Sequence, residues 1–181
     1  MLKPRMTPHQ QFWAKYRKPR EGRTLIVGSR IYGDREDRRG AYQDAVGADM
    51  QAGPGVDIVA NLEDEDDAAF LGTFAHIECR SVLEHARRPW LLAAHLEHLM
   101  APGSTLDLSV PFVWRPHAYP SDYWRFTAEG VRELFPGIKW HALMYASQEL
   151  LWEGDTKLPK QIIDGAIHFP RCEVLGFGVM P

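Results

Sequence analysis

The stretch of sequence that decides the fold is Thr24–Asn61, TLIVGSRIYGDREDRRGAYQDAVGADMQAGPGVDIVAN. It contains three short apolar runs, Leu25–Val27, Val46–Ala48 and Val56–Ala60, each of which ends at a small or polar residue. In an open parallel sheet, ligands bind beyond the carboxyl ends of the strands, where the strand order reverses. The three run ends therefore predict a site for a nucleoside-like cofactor, lined by Gly28, Asp49 and Asn61.

Similar apolar runs continue along the chain and alternate with helical patterns. Four further strands are predicted at Ala75–Cys79, Thr105–Val110, Trp140–Tyr145 and Glu173–Met180. Five helices are predicted at His9–Arg17, Arg35–Asp44, Glu63–Phe70, Trp90–Met100 and Ala128–Phe135. Strands and helices in regular succession indicate an α/β sandwich with a mainly parallel sheet.

The length and composition limit the protein class. A chain of 181 residues suits one domain with its own core. No apolar run approaches the roughly 18–20 residues of a membrane span, and the first residues lack the apolar region of a signal peptide. The two cysteines, Cys79 and Cys172, form no motif. We therefore expect no membrane partner and a reduced, cytoplasmic setting.

The charge is distributed unevenly along the chain. A net charge of −3 argues against general affinity for nucleic acid. The segment Met1–Arg23 nevertheless has seven basic residues and one acidic residue, for a net charge of +6, and it contains Phe12, Trp13 and Tyr16. We predict a basic helical arm over residues 1–23 and a main domain over residues 24–181. The arm either docks its aromatic face on the core or clamps an anionic substrate.

The loop after the first strand excludes the common phosphate-binding motifs. Gly28–Gly33 reads GSRIYG, which is neither GxGxxG nor a P-loop with its lysine and hydroxyl residue. NAD and ATP are therefore poor fits, whereas a cofactor without phosphates makes lighter demands on this loop. An acidic residue after the second strand, here Asp49, can accept hydrogen bonds from both ribose hydroxyls.

Several segments in order resemble the class I S-adenosylmethionine methyltransferases, in their small-molecule, methyltransferase type 11-like branch. The segments are LIVGSR (25–30), GADMQAGPGVDIVANLED (47–64), SVLEHARRPW (81–90), LMAPGSTLDLSVPF (99–112) and HAYPSDYWRFTAEGV (117–131). The resemblance implies a Rossmann-like, three-layer sandwich with a mostly parallel, seven-stranded sheet and an antiparallel last strand. It also implies S-adenosylmethionine as the cofactor and a small-molecule or glycan-type acceptor.

Residue by residue, the resemblance implies a cofactor site. Asp49 would hold the ribose, Met50 would pack on the adenine, and Asn61 and Leu62 match an acidic–apolar pair near the adenine amine, with asparagine in place of aspartate. Arg30 and Ile31 stand where small residues are usual in the family. The full cofactor set is Gly28, Ser29, Arg30, Asp49, Met50, Asn61, Leu62 and Ser81.

His85 is the candidate general base, because imidazole titrates near neutral pH and His85 follows the fourth strand, where the family places reacting groups. A structural role for this histidine is the alternative. The loop Pro111–Phe126 leaves the fifth strand at the same edge of the sheet and would cover the acceptor. Its candidate substrate residues are His117, Tyr119, Asp122, Tyr123 and Arg125, of which Asp122 and Arg125 could instead brace the loop.

Other functions remain open. We expect no metal site, because His95 and His98 lie on the fourth predicted helix without an HExxH pattern. The altered loop after the first strand motivates one alternative, a weakly active or inactive methyltransferase-like scaffold. The basic arm motivates another, an RNA or nucleotide methyltransferase. A homodimer is plausible for a core of this size.

Overall fold

The computed structural model describes residues 6–17, 21–69, 71–117, 121–153, 161–163, 166–168 and 171–181. Its strands are β1 (Thr24–Val27), β2 (Ala45–Asp49), β3 (Ile58–Val59), β4 (Phe74–Arg80), β5 (Met100–Val113), β6 (Lys139–Ser147), β7 (Leu151–Trp152), β8 (Gln161–Ile163), β9 (Ala166–His168) and β10 (Cys172–Val179). Its α-helices are α1 (Pro8–Tyr16), α2 (Glu65–Ala69), α3 (Pro89–His98) and α4 (Ala128–Leu134). Two 3₁₀ turns lie at Arg38–Ala41 and Leu83–His85.

The main sheet has the order β3-β2-β1-β4-β5-β10-β6-β7. Neighbouring strands from β3 to β5 are parallel, and β10 runs antiparallel to both β5 and β6. The strand order reverses between β1 and β4, which is the position where open α/β sheets bind ligands. The predicted Rossmann-like α/β fold is confirmed. Within the described residues the sheet has eight strands rather than seven, because Leu151–Trp152 adds a short edge strand beside β6.

The central strands present an apolar face to helices α2, α3 and α4. Alternate residues of β4, such as Ile77 and Cys79, belong to one core cluster with Leu92, Leu96 and the apolar residues of β1 and β5. The residues between them on β4 and β5 are polar and also buried, namely His76, Glu78, Thr105, Asp107 and Ser109. The sheet therefore buries apolar side chains on one face and a group of hydrogen-bonding and charged side chains on the other.

Helix α1 packs on the far end of that second face. Thr7 caps the helix in a capping box with Gln10, and Pro8 occupies its first turn. Phe12 is fully buried in a second core cluster with Leu175 and Phe177 of β10. These contacts match the docking alternative for the helix of the basic arm.

The predicted helix Arg35–Asp44 is wrong. Only Arg38–Ala41 winds, as a single 3₁₀ turn. The Asp37 side chain accepts a hydrogen bond from the Arg39 backbone and ion-pairs with its guanidinium, and Arg39 also reaches Asp57. A short acidic side chain bonded to the backbone favours a turn, and Gly40 lowers helix propensity further.

None of the helices in the described part of the chain has the length and apolar character needed to cross a membrane.

Candidate functional site

A cavity of about 600 Å³ lies over the carboxyl ends of β1, β2, β4 and β5. All eight residues of the predicted cofactor set line it, together with His85 and His117. Its volume falls within the range of about 300–1,000 Å³ that is usual for small-molecule and cofactor sites. The cavity has a cofactor end at the tips of β1–β3 and an acceptor end at the tips of β4 and β5 and the start of β10.

Asp49 is the acidic group at the end of β2, in the cofactor end of the cavity. Its Oδ2 accepts a hydrogen bond from the Arg30 backbone N–H at 3.2 Å, and its Oδ1 accepts one from the Gln51 backbone N–H at 3.0 Å. Two backbone donors therefore fix the carboxylate at the end of β2. Because each carboxylate oxygen has two lone pairs, both oxygens can still accept from a diol in the cavity.

The two bulky residues of the loop after β1 pack against a glycine-containing turn. A Cβ added at Gly53 would lie 2.7 Å from Nε of Arg30, and one added at Gly55 would lie 2.7 Å from the Ile31 side chain and 2.6 Å from the Ser29 carbonyl oxygen. The Arg30 guanidinium also donates to Gln51 and lies over the Tyr32 ring. Gly53 and Gly55 in the β2–β3 turn therefore make room for the bulky side chains of Arg30 and Ile31.

Arg38 holds the end of β1. Its guanidinium donates to the carbonyl oxygens of Val27 at 3.2 Å and Gly28 at 2.6 Å, and to Glu78 at 3.1 Å. Glu78 is fully buried and accepts from the Tyr42 hydroxyl at 2.6 Å. Burial, followed by the charge of Glu78, raises the pKa of Tyr42. The Arg38 side chain thus hydrogen-bonds the carbonyl groups at the end of β1, and it does so from the segment where a helix was predicted and does not form.

Glu78 has further cationic partners. Arg17 lies 3.4 Å and Arg80 lies 3.3 Å from its Oε2. Arg80 also lines the cavity and stacks on the Trp13 ring of α1, with its guanidinium carbon 3.9 Å from the ring centroid. A buried carboxylate needs compensating charge. The ion pairs of Glu78 with Arg17 and Arg38 therefore hold α1 and the loop after β1 against β4, beside the cavity.

Asn61, Leu62 and Met50 form the outer part of the cofactor end. Leu62 is buried, whereas Met50 lies at the rim with 52% of its surface exposed. The Asn61 side-chain oxygen accepts from the Glu63 backbone N–H at 3.2 Å. Since an amide oxygen has a second lone pair, it can still accept from an amine in the cavity.

Ser81 has an unusual backbone conformation at the end of β4. Its φ is +52°, the only positive φ at a non-glycine residue in the described ranges. Its backbone N–H donates to the Ser109 carbonyl at 2.9 Å. Left-handed conformations cost a non-glycine residue on the order of 1–2 kcal/mol, and such strain clusters at functional sites.

His85 points its Nε2 toward the acceptor end. Its Nδ1 lies 2.5 Å from the Ser121 carbonyl oxygen, so Nδ1 is the protonated nitrogen and donates. Burial lowers the pKa of His85, with a further contribution from the nearby His117. In the neutral ring, Nε2 therefore has a free lone pair.

Glu84 is a neighbour of His85 that the sequence analysis missed. The residue is only 1% exposed, and its Oε2 has no hydrogen-bond partner among the described residues. Burial raises the pKa of Glu84 to about 8. Its position beside His85 in the LEH segment after β4 was the available signal.

The predicted substrate residues divide into two groups. His117 lines the cavity. Asp122 and Arg125 pair with each other and do not line it, and Asp122 also accepts from the His117 backbone N–H at 2.7 Å. The Arg125 guanidinium lowers the pKa of Asp122 well below its usual range. Tyr123 is exposed outside the cavity, and Tyr119 lies outside the described residues.

Four further residues complete the acceptor end: Trp114, Arg115, Arg171 and Glu173. The first two belong to the loop that was expected to cover the acceptor, whereas the start of β10 was not predicted to take part. The Arg171 guanidinium lies over the Trp114 ring, and Glu173 is ion-paired with His9 of α1 at 2.6 Å. Burial lowers the pKa of Arg171, and the charge of Arg115 acts in the same direction. The antiparallel start of β10 brings Arg171 and Glu173 to the tip of β5, where Cys172 pairs with Val113.

Comparison with known proteins shows a shared fold. No protein-family model matches the chain, and no curated protein matches it. A candidate methyltransferase from Bacillus halodurans C-125 has a TM-score of 0.66 at 11% identity, covering 94% of this chain and 97% of that chain. N-methyltransferase NodS from Bradyrhizobium japonicum WM9, solved with S-adenosyl-L-homocysteine, has a TM-score of 0.58 at 11% identity, covering 88% and 79%. The N-terminal domain of EvdMO1, solved in the presence of S-adenosyl-L-homocysteine (SAH) and D-fucose, has a TM-score of 0.57 at 15% identity, covering 99% and 85%.

Proposed function

We propose that this protein is an S-adenosylmethionine-dependent methyltransferase acting on a small-molecule or glycan-type acceptor. The observation that carries the proposal is the Asp49 carboxylate, which two backbone N–H groups fix beside the point where the strand order reverses. Similar folds in NodS and EvdMO1 were solved with SAH, the demethylated cofactor. Membership of the type 11-like branch stays a prediction.

The cofactor end fits the nucleoside and methionine parts of this cofactor. Asp49 would accept from the ribose hydroxyls, Met50 and Leu62 would pack on the adenine, and Asn61 would accept from its amine. Gly28, Ser29, Arg30 and Ser81 would surround the methionine part, since all of them line the same cavity. When bound, the cofactor supplies a methyl group on a cationic sulfonium, which passes to the acceptor while the acceptor loses a proton.

The residues of this chain orient the acceptor and handle its proton. We assign removal of the acceptor's proton to His85. Its Nδ1 is hydrogen-bonded to the Ser121 carbonyl, so Nε2 is the nitrogen that can act as the base. Orientation alone can lower the barrier by about 7–11 kcal/mol in favourable cases, so the fixed rings and backbone of the acceptor end contribute to the rate as well.

The acceptor end suits a ring that carries an acidic group. Trp114 offers a flat apolar surface, and Arg115 and Arg171 place two guanidinium groups beside it. Guanidinium groups recognise carboxylates and phosphates with paired hydrogen bonds. EvdMO1, with a similar fold, was solved in the presence of D-fucose, which agrees with a glycan-type acceptor. Tyr119, Asp122, Tyr123 and Arg125 stay predictions as substrate residues.

The contacts give less support to the two alternatives. Packing of Arg30 and Ile31 on the β2–β3 turn weakens the argument for an inactive scaffold. Phe12 is buried in the core, Trp13 is stacked under Arg80 and Tyr16 is stacked on Phe177, so all three aromatic residues of the arm already pack within the fold. A homodimer and a cytoplasmic location stay predictions.

Calorimetric titration of the full chain with SAH tests the proposal. Asp49→Ala should weaken binding at least 100-fold, because the carboxylate is the group that accepts from the ribose. Asp44→Ala is the matched control, since Asp44 is an exposed acidic residue just before the opposite end of β2. Equal affinities for the two variants, or no SAH binding by the unmodified protein, would overturn the proposal.

A further inference from the structure

Three side chains that can bind a metal converge at the acceptor end of the cavity. Glu84 and His85 follow β4, and His117 follows β5, yet one ligand atom from each lies within 4.8 Å of the others. Nε2 of His85 is 3.8 Å and Nε2 of His117 is 4.0 Å from the same carboxylate oxygen, Oε1 of Glu84. Two imidazoles and one carboxylate around one point are a recurrent ligand set for zinc and for non-haem iron.

Each of the two histidine rings has an oxygen atom close to its Nδ1, on the side away from Glu84. His85 donates from Nδ1 to the Ser121 carbonyl, whereas Nδ1 of His117 lies 3.0 Å from Oδ2 of Asp122 but makes no hydrogen bond in the described structure. Asp122 is held in turn by Arg125. Metal-binding histidines usually engage a carbonyl or carboxylate through the ring nitrogen that does not bind the metal. His85 has that arrangement, and a small rotation of the His117 ring would give it the same contact with Asp122. Both rings place Nε2 near Oε1 of Glu84.

The carboxylate of Glu84 lacks its own compensation. It is buried, and its Oε2 has no hydrogen-bond donor in the part of the chain that the structure describes. Burying an unpartnered carboxylate is costly, so such groups take up a proton, pair with a cationic side chain or coordinate a metal. This observation is independent of the ring geometry, and a cation bound at the other oxygen, Oε1, would supply the charge that the buried group lacks.

We propose that Glu84, His85 and His117 bind one divalent transition-metal ion through Oε1 and the two Nε2 atoms. Imidazole favours zinc, iron and cobalt over magnesium and calcium, whose preferred ligands are oxygens. Ligands about 2.1 Å from a common ion lie roughly 3–3.5 Å apart, so the two nitrogen–oxygen distances of 3.8 and 4.0 Å need to shorten by about 0.5–1 Å. Rotation of the side chains can supply a movement of that size.

The ion would act on the acceptor. His85 and His117 line the cavity, so the remaining coordination positions face the acceptor end. With Nε2 of His85 bound to the ion, the ion replaces that histidine as the group that prepares the acceptor. A hydroxyl bound there would lose its proton to solvent more readily, because a metal ion lowers the pKa of a bound hydroxyl or water. The oxygen then forms the bond to the methyl carbon as the carbon–sulfur bond breaks, and the electron pair stays on sulfur. This role rests on the proposed function, whereas binding of the ion does not.

Titration of the chelator-treated full chain with ZnCl₂ tests the site. We expect one equivalent to bind with micromolar or tighter affinity and to raise the melting temperature. Glu84→Gln and His117→Ala should each weaken binding at least tenfold. His98→Ala should leave it unchanged, since His98 is an exposed histidine on α3 away from the cavity.

Asp122→Asn tests the carboxylate beside His117, because it keeps the shape of the side chain and removes its charge. It should weaken Zn²⁺ binding by about 10–100-fold, the usual effect of changing an outer partner of a metal-binding histidine. Circular dichroism would confirm that each variant is folded. Absence of Zn²⁺ binding, or equal binding by Glu84→Gln and the unmodified chain, would overturn the proposal. SAH titration of the same samples keeps the two proposals distinct, since SAH binding without Zn²⁺ binding contradicts only the metal site.

Discussion

The two ends of the cavity are built in different ways. Apart from Ser81 at the end of β4, the predicted cofactor residues come from one continuous stretch, Thr24–Leu62, and backbone groups fix its key carboxylate. The acceptor end collects side chains from the end of β4, the loop after β5 and the start of β10. A site made by consecutive strand ends can be read from sequence, whereas a site made by side chains from distant segments exists only after the sheet has formed. The two ends should therefore respond separately to mutation.

The largest effect is expected at the support of the cofactor end. Arg38→Met should lower the free energy of unfolding by about 3 kcal/mol, because it leaves Glu78 and the strand-end carbonyls with one partner fewer. SAH affinity should fall about tenfold as the loop after β1 loosens. Urea unfolding and calorimetry measure the two quantities. Arg39→Met is the control, since its ion pairs are at the surface and should contribute only about 0.5 kcal/mol each. Equal losses for both variants would contradict the assigned role of Arg38.

Gly55→Ala tests whether the turn accommodates the bulky loop. We expect a loss of about 2 kcal/mol in the free energy of unfolding, since φ is +83° and the new Cβ would meet Ser29 and Ile31. Gly33→Ala should cost about 1 kcal/mol, because Gly33 has a similar φ of +61° but nothing within 4 Å of an added Cβ. The difference between the variants isolates the contact, and a difference of zero would refute it.

Ser81→Gly should have a smaller effect of opposite sign. Relief of the positive φ is expected to stabilise the fold by up to about 1 kcal/mol, offset in part by the greater freedom of glycine in the unfolded chain. Ser81→Ala keeps the Cβ and should bring no gain. Thermal unfolding of the pair measures the difference, and a less stable glycine variant would show that the Ser81 conformation is not strained.

Trp114→Ala should have the smallest effect on the cofactor end. SAH affinity should change by less than about twofold, because Trp114 contacts Arg171 and His117 at the acceptor end. Met50→Ala, at the rim of the cofactor end, should weaken SAH by several-fold through lost apolar burial of about 1 kcal/mol. Calorimetry compares the two, and a larger loss for Trp114→Ala would show that the ends are coupled.

The sequence supports most of the fold and one half of the site. Every predicted strand of the main sheet forms, because runs such as Leu25–Val27 and Thr105–Val110 are buried by the sheet itself. The helix at Arg35–Asp44 fails because local hydrogen bonds to Asp37 outweigh a weak helical pattern. Glu84 and Arg171 were missed for a different reason. The role of Arg171 depends on which segments the topology brings together, and no local pattern carries that information, whereas the one local signal for Glu84 was its position beside His85.

Helix α1 has a consequence for how the molecule assembles. His9 and Glu173 are paired although they are 164 positions apart, and Phe12 completes its cluster only with β10. Contacts between such distant segments form late, since the intervening chain must already be ordered. During synthesis, α1 leaves the ribosome before β10 and has to wait for it before it can dock. Arg80 and Glu78 then receive their partners from α1 only in the final step, so a functional cavity should be among the last features that this protein acquires as it folds.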